Sequence, residues 1–266
     1  MVRAGAMFAL LGLAFVSGAF GAEGRAKVSL LLESQNYKPG TAVRAAIRMK
    51  YDDGWHGYWV NPGEGGMRTE AVWKLPAGWQ AGGLEFPAPK RFESGLVVSF
   101  GYEGEVVLPV TLHPPTGAEG AAELAVKITW LACDANSCET GTAELTANLI
   151  PGPADAGPDG VAVAKAHQSL PTVDPGLKLD VSESPDGIRL LLSGATAASL
   201  SGAEILPITE QVLDTAKRIV LRGDGSTAQA VALRSPYASG PVRDLKILIF
   251  GGKLRKPVIA VWTASK

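Results

Sequence analysis

Short runs of alternating apolar and polar residues recur along the chain, and turns rich in glycine and proline separate them. The clearest run is Thr41–Tyr51, where one face of a strand would be apolar: Val43, Ala45, Ile47 and Met49. The opposite face would carry charge: Arg44, Arg48 and Lys50. Because side chains of a β-strand alternate between the two faces of a sheet, this pattern predicts a strand with one buried face.

The same criteria predict further strands before residue 150: Lys27–Leu32, Glu70–Leu75, Leu96–Tyr102, Glu105–Leu112, Leu124–Trp130 and Thr142–Leu149. Glu103-Gly104 predicts a hairpin turn between the third and the fourth of them. Trp55–Gly66, dense in aromatics and ending in glycines, predicts a strand edge that leads into a mobile loop. The proline-rich Leu84–Phe92 predicts an edge strand or a loop. About seven short strands with turns every 8–12 residues are typical of an immunoglobulin-like sandwich.

Residues 151–160 lack a periodic apolar pattern and mark a domain boundary. Val161–Leu170 predicts a short helix, so residues 151–175 are predicted to form a linker that contains it. Strand patterns then return: Leu177–Val181, Gly187–Leu192, Ala203–Ile208, Lys217–Arg222, Ala228–Arg234, Leu245–Phe250 and Val258–Thr263. The sequence therefore predicts an all-β protein with two immunoglobulin-like β-sandwich domains in tandem, at residues 27–150 and 176–266.

The N-terminus has the three parts of a secretory signal peptide. Met-Val-Arg supplies positive charge, Ala6–Phe20 is an apolar run, and Ala19–Ala22 offers small residues for cleavage. We expect residues 1–22 to be removed and the chain to be periplasmic, with an uncleaved anchor as the alternative. No later run approaches the roughly 18 apolar residues that a membrane helix needs, so the mature chain is predicted to have no membrane span.

Charge and motifs exclude several classes of function. The formal net charge is -1, with 25 Lys and Arg against 26 Asp and Glu, so the chain has no basic excess for binding nucleic acid. The hydrolase motifs Gly-x-Ser-x-Gly and His-Glu-x-x-His do not occur in the sequence.

The candidate chemistry lies in the only two cysteines, Cys133 and Cys138, at the ends of a tight connection between two predicted strands. Asp-Ala-Asn-Ser between them is typical of a turn. Cysteines this close can reach the Cα separation of roughly 4.4–6.8 Å that a disulfide needs. Spacing alone leaves three interpretations: a structural disulfide, a pair that cycles between dithiol and disulfide, and part of a metal site.

Physical arguments weigh these interpretations without deciding between them. Closing so small a loop stabilises a fold by only about 2 kcal/mol, which is little for a structural cross-link. A short, partly exposed loop suits exchange, because an attacking thiolate must reach a sulfur. Two thiolates are half of a zinc shell, and a copper or zinc site would have to add His56 and Met67. We therefore predict no metal and no cofactor.

Four segments carry a resemblance to a known family: Gly54–Gly63, Phe86–Phe92, Gly101–Val110, and Ile128–Cys133 followed by Cys138. In this order they make residues 27–150 resemble the N-terminal periplasmic domain of the thiol:disulfide interchange protein DsbD. The resemblance is closer still to the related suppressor-of-copper-sensitivity B proteins, in which two β-sandwich domains precede the membrane part.

The resemblance implies thiol–disulfide exchange in copper tolerance or cytochrome c biogenesis. Cys133 and Cys138 fall on the redox pair, and Phe92 falls where the family has an aromatic cap over the disulfide. Tyr58 and His56 fall on aromatic positions that line the site. The implied partners are thioredoxin-like periplasmic proteins, a separate membrane electron donor, or both.

The sequence also departs from the family pattern. The cysteine spacing differs from that of the best-known member, and no proline follows Cys138. The chain ends at Lys266 without a membrane domain, so a separate donor is expected if this is the full product. The alternative function is a secreted binding module with a structural disulfide, in which Trp55, Tyr58 and Trp59 would form a recognition surface.

Overall fold

A computed structural model describes residues 24–94 and 97–264, so the predicted signal peptide lies outside the described residues. The first eleven strands are β1 (Ala26–Leu32), β2 (Asn36–Tyr37), β3 (Val43–Tyr51), β4 (His56–Gly63), β5 (Glu70–Lys74), β6 (Gln80–Ala81), β7 (Lys90–Ser94), β8 (Val97–Glu103), β9 (Glu105–His113), β10 (Ala122–Cys133) and β11 (Cys138–Pro151). They are followed by the helix α1 (Gly160–Ser169).

The remaining strands are β12 (Thr172–Val173), β13 (Lys178–Ser184), β14 (Gly187–Ser193), β15 (Ala203–Pro207), β16 (Ile219–Val220), β17 (Arg222–Asp224), β18 (Thr227–Ala232), β19 (Asp244–Gly251) and β20 (Val258–Thr263). A short 3-10 helix, Ala195–Ser199, lies between β14 and β15. The predicted all-β class is confirmed. Every predicted strand of the second half has a counterpart, and Lys217–Arg222 is divided between β16 and β17.

Strands β1–β11 form two sheets. One has the order β1-β3-β9-β6, and the other has the order β2-β11-β10-β4-β8-β7, with β5 paired to β10. Large side chains from both sheets fill the space between them: Trp59, Trp130, Phe100, Ile47, Met49, Leu108 and Ile128. The alternation predicted for β3 is confirmed, because its apolar residues are buried in this core.

The predicted hairpin at Glu103-Gly104 is wrong. Strand β8 pairs with β4 and β7 in one sheet, whereas β9 pairs with β3 in the other. Gly104, with φ of 68°, therefore turns the chain from one sheet to the facing one. Alternation along both strands is satisfied in either arrangement, because each strand still buries one face in the same core.

One other prediction for the first half needs correction. The number of strands is higher than about seven. Within the described part of residues 24–151 there are eleven, because short strands such as β2 and β6 escaped the pattern.

Helix α1 confirms the short helix predicted after the boundary. It packs on the outer face of the sheet that contains β1, β3 and β9, where Leu31, Ala46 and Val163 form a small apolar cluster. The ring nitrogen Nε2 of His167 lies 3.1 Å from the carbonyl oxygen of Ala45. The helix thus covers apolar residues on the face of β3 that the sequence predicted to be charged.

Strands β12–β20 form a second pair of sheets, with the orders β12-β20-β19-β15-β16 and β13-β14-β18-β17. They enclose a core of their own that includes Leu190, Leu192, Ile205, Ile247 and Ile249. The two pairs of sheets also contact each other. Leu206 and Leu248 join the core cluster of the first pair, and the buried side-chain amide of Asn61 donates a hydrogen bond of 2.8 Å to the carbonyl oxygen of Pro207.

None of the helices within residues 24–94 and 97–264 combines the length and the apolar character needed to cross a membrane.

Candidate functional site

The two cysteines close the long hairpin of β10 and β11. The strands pair in antiparallel register from Ala122 opposite Leu149 to Cys133 opposite Cys138, and these last two residues form a disulfide with a Cα separation of 4.1 Å. Side chains directly opposite in an antiparallel pair lie on the same face. The register of the hairpin is therefore what brings the two sulfurs together.

Asp134 shapes the connection between the cysteines. Its Oδ1 atom accepts hydrogen bonds from the backbone N–H groups of Asn136 and Ser137, at 2.8 and 2.7 Å. These bonds lower the pKa of its carboxyl group, the bond from Asn136 having the larger effect. An aspartate that binds the backbone two residues ahead is typical of a tight turn. The loop is thus a defined turn that presents the sulfurs.

The two sulfurs differ in access and in partners. Cys133 is only 3% exposed, whereas Cys138 is exposed. The hydroxyl of Tyr58 donates a hydrogen bond of 2.8 Å to Sγ of Cys133. Burial raises the pKa of Tyr58, so this hydroxyl keeps its proton at neutral pH. An incoming reagent therefore meets Cys138 first, while the sulfur of Cys133 faces a hydrogen-bond donor.

Strand β4 supplies both Tyr58 and His56 to the site. His56 lies opposite Cys133 in the ladder, and Tyr58 follows on the same face with its ring 5.4 Å from that of His56. Gly66 makes room for the tyrosine. A Cβ atom at Gly66 would come within 2.2 Å of the Tyr58 ring, and its φ of 132° also favours glycine.

Phe92 lies across the cleft in β7, where its ring stacks on His56 at 4.4 Å with an interplanar angle of 15°. Within the predicted segment, residues 84–89 form no strand and residues 90–92 lie in the edge strand β7, so each of the two sequence interpretations holds for part of it. Strand β7 is not weakly held, because it pairs with β8 over all five of its residues and Phe92 lies opposite Ser99. Burial lowers the pKa of His56, against the opposing effects of Glu103 and Asp134, so its ring is neutral at pH 7.

All five residues singled out from the sequence line one cleft of about 590 Å³: His56, Tyr58, Phe92, Cys133 and Cys138. Its rim includes the loop after β4, at Gly65 and Gly66, and the turn between the cysteines. Pattern reasoning missed Gly66, and a glycine in a glycine-rich loop carries no signal that a tyrosine ring will lie against it.

The two carboxylates beside the cysteines, Asp134 and Glu139, both have bonding partners. Glu139 accepts two hydrogen bonds from the guanidinium of Arg25, the shorter being 2.8 Å, and that guanidinium lies 4.7 Å from the ring centroid of Trp55. Asp134 is occupied by its own turn. The positive charge of Arg25 therefore offsets the negative charge of Glu139 beside the cysteines. Pattern reasoning had no means of placing Arg25 beside Glu139.

Two alternatives from the sequence find little support. Trp55 and Trp59 are buried, the latter at 1% exposure, so they do not form an exposed recognition surface with Tyr58. Across the part of the chain that the structure describes, no three His, Cys, Asp or Glu side chains are grouped so that they could hold a metal ion.

Removing both sulfurs will cost little stability. We expect Cys133→Ala combined with Cys138→Ala to lower the free energy of unfolding by at most about 2 kcal/mol, because the closed loop is short and the register is maintained by the whole β10–β11 ladder. Denaturant unfolding of wild type and double mutant measures the difference. Failure of the double mutant to fold would identify the disulfide as structural.

The fold and site define a class of protein: a β-rich domain that carries a hairpin disulfide with one exposed sulfur in an aromatic-lined cleft. Residues 27–149 match the family model described as "Thiol:disulfide interchange protein DsbD, N-terminal". This part of the chain belongs to that family. Together with the Cys133–Cys138 disulfide, this match supports a thiol–disulfide exchange domain.

Solved structures extend the likeness of fold to almost the whole chain. The N-terminal periplasmic domain of ScsB from Proteus mirabilis aligns with a TM-score of 0.67 and 18% identity, covering 91% of this chain and 94% of that one. Spo0M, a sporulation control protein from Bacillus subtilis, and BcpA, the major pilin subunit of Bacillus cereus, are both 12% identical. They cover 91% and 92% of this chain and 91% and 67% of their own, with TM-scores of only 0.26 and 0.30. No curated protein sequence matches the chain.

Proposed function

We propose that this protein is a periplasmic thiol–disulfide exchange protein that passes electrons through Cys133 and Cys138 to or from partner proteins. The observation that carries the proposal is the asymmetry of the pair. Cys138 is exposed, whereas Cys133 is buried and accepts a hydrogen bond of 2.8 Å from Tyr58. Exchange needs one accessible sulfur and one that resolves the adduct, and this arrangement supplies both.

In the direction that reduces a partner, the thiolate of Cys138 attacks one sulfur of the partner's disulfide. The second sulfur of the partner leaves as a thiolate, and a mixed disulfide remains. Cys133 then loses its proton, and its thiolate attacks Sγ of Cys138. The Cys133–Cys138 disulfide forms, and the partner departs with both sulfurs reduced, so two electrons have been transferred. The opposite direction reverses each step.

Tyr58 has a distinct task in the reverse direction. When a partner thiolate attacks Sγ of Cys138, the sulfur of Cys133 leaves as a thiolate and gains negative charge. The tyrosine hydroxyl already points its proton at that sulfur. A hydrogen bond to the charged form stabilises it, so Tyr58 favours departure of Cys133. We assign His56 and Phe92 to the wall of the cleft, with Phe92 as the cap that shields the sulfurs.

The wider assignments follow from the same proposal. The partners are thioredoxin-like periplasmic proteins, a separate membrane electron donor, or both. Export by the N-terminal signal peptide at residues 1–22 would bring the chain to them. We further propose two β-sandwich domains, at residues 27–150 and 176–266. The core of the second pair of sheets, which contains no residue of the first half, and the strand-free stretch around α1 support this division.

A redox titration tests the proposal. The purified protein is equilibrated with mixtures of reduced and oxidised glutathione or dithiothreitol, and free thiols are counted by alkylation. We expect a reversible two-electron transition with a midpoint above roughly -300 mV, because structural disulfides of secreted proteins have potentials below that value. A midpoint well below it would indicate a structural disulfide and favour the binding module.

A further inference from the structure

Arg91 connects the strand that carries Phe92 to the second half of the chain. Neighbouring residues of a strand point to opposite faces, so Arg91 and Phe92 leave β7 on opposite sides. Phe92 stacks on His56 in the cleft, whereas the side chain of Arg91 is only 8% exposed. An arginine side chain that is so largely buried calls for specific partners.

Those partners lie on the segment between β15 and β16. The guanidinium of Arg91 donates from Nη1 to the carbonyl oxygen of Thr215 at 3.0 Å and from Nη2 to that of Ala216 at 2.7 Å. Its Nε donates to Glu93 at 2.8 Å, and the group lies 5.8 Å from the ring centroid of Phe100. The fixed planar fork of arginine makes such paired bonds specific in geometry.

The position of β7 gives these bonds a consequence. It is the last strand of its sheet and has only β8 as a neighbour in the ladder. A strand paired on one side is more easily lifted than an internal one. The bonds of Arg91 support β7 from a second direction, and Glu93 on the same strand also lies 3.8 Å from Arg218.

We propose that the second half of the chain braces β7 through Arg91, and thereby holds Phe92 in the cleft and limits access to the Cys133–Cys138 disulfide. Arg91 is then a positioning residue, and the second pair of sheets has a role in the redox site without contributing a sulfur or an aromatic ring to it. The inference rests on the proposed function only for its purpose, because access to the disulfide can be measured without any partner.

The test is the rate at which dithiothreitol reduces the disulfide in the full chain. We expect Arg91→Ala to be reduced about two- to tenfold faster than wild type, and no faster than Phe92→Ala, since it loses two charge-assisted hydrogen bonds that hold the strand of the cap. Arg91→Lys, which keeps the charge without the fork, should be intermediate. Arg44→Ala is the matched control, because Arg44 also makes a forked contact, to Glu33, but lies on β3 of the facing sheet. It should be reduced at the wild-type rate.

A double mutant separates bracing of the cap from general loosening. If Arg91 acts through Phe92, adding Arg91→Ala to Phe92→Ala should change the reduction rate by less than about twofold. Equal acceleration by Arg91→Ala in both backgrounds would show that it acts by another route and would overturn the inference. So would a wild-type rate for Arg91→Ala. Should that variant not fold, Arg91→Lys undergoes the same comparison.

The outcome is distinguishable from failure of the proposed function. Dithiothreitol reports access to the disulfide alone, whereas the redox titration reports whether the pair is poised for exchange. If Arg91→Ala speeds reduction but the disulfide has the low reduction potential of a structural one, Arg91 supports β7 as proposed and the exchange function is rejected.

Discussion

Replacing Cys133 with serine will leave a protein that forms a stable mixed disulfide, and replacing Cys138 with serine will leave one that hardly reacts. The first variant keeps the exposed sulfur, and the second keeps the buried one. In Cys133→Ser no second thiol is available to resolve the adduct, so the adduct accumulates. This pair of variants has the largest expected effect, because it removes either the attacking or the resolving step completely.

Each reduced variant is allowed to react with 5,5'-dithiobis(2-nitrobenzoate). The rate is measured from the release of the thionitrobenzoate anion. We expect Cys138→Ser to react at least about tenfold more slowly than Cys133→Ser, a ratio that corresponds to a local opening cost of only about 1.4 kcal/mol. The unfolded variants in denaturant are the control and should react alike. Equal rates in the folded variants would contradict the assignment of Cys138 as the attacking residue.

Replacing Phe92 with alanine will speed reduction of the Cys133–Cys138 disulfide. Phe92 is partly buried and its known ring contact is the stack on His56. Aromatic pairs contribute roughly 0.5–1.5 kcal/mol beyond area burial. Loss of that interaction predicts a reduction rate about two- to tenfold higher, because access limits exchange when the thiols themselves are unchanged.

Stability measurements distinguish a cap from a core residue. Replacing a fully buried phenylalanine with alanine lowers the free energy of unfolding by about 3–5 kcal/mol. Phe92→Ala should lower it far less, so the thermal midpoint should change little. Phe86→Ala is the matched control, because Phe86 is also partly buried, precedes the same strand and lies outside the cleft. It should leave the reduction rate unchanged. An unchanged rate with a sharply lowered midpoint for Phe92→Ala would show that Phe92 is not a cap.

Local chemistry allowed much of this protein to be predicted from its sequence. The alternation of Val43, Ala45, Ile47 and Met49 predicts β3, because the two-residue period of a strand is visible without knowing its neighbours. The hairpin of β10 and β11 could be predicted for the same reason. Its strands are adjacent in the chain, and the turn between the cysteines has an aspartate that binds its own backbone.

The site was found in the sequence through short segments that occur in a family, and not through geometry. Spacing left open whether Cys133 and Cys138 were structural, redox-active or metal-binding. Only the resemblance placed Tyr58 and Phe92 beside the cysteines, and these two residues lie on β4 and β7, far from the cysteines in sequence. Nothing in the local pattern of β4 states that it meets β10 at Cys133, and nothing in that of β7 states that Phe92 stacks on His56.

Tertiary structure alone decided three things. It placed β8 and β9 in different sheets, since a turn at Gly104 and an alternating pattern suit both a hairpin and a crossing between sheets. It buried the sulfur of Cys133 against Tyr58 and left that of Cys138 exposed, although the two are symmetric in sequence. It also joined Arg91 to carbonyl groups more than a hundred residues away. Each depends on which distant backbone lies beside a residue, and alternation and turn chemistry describe only its near neighbours in the chain.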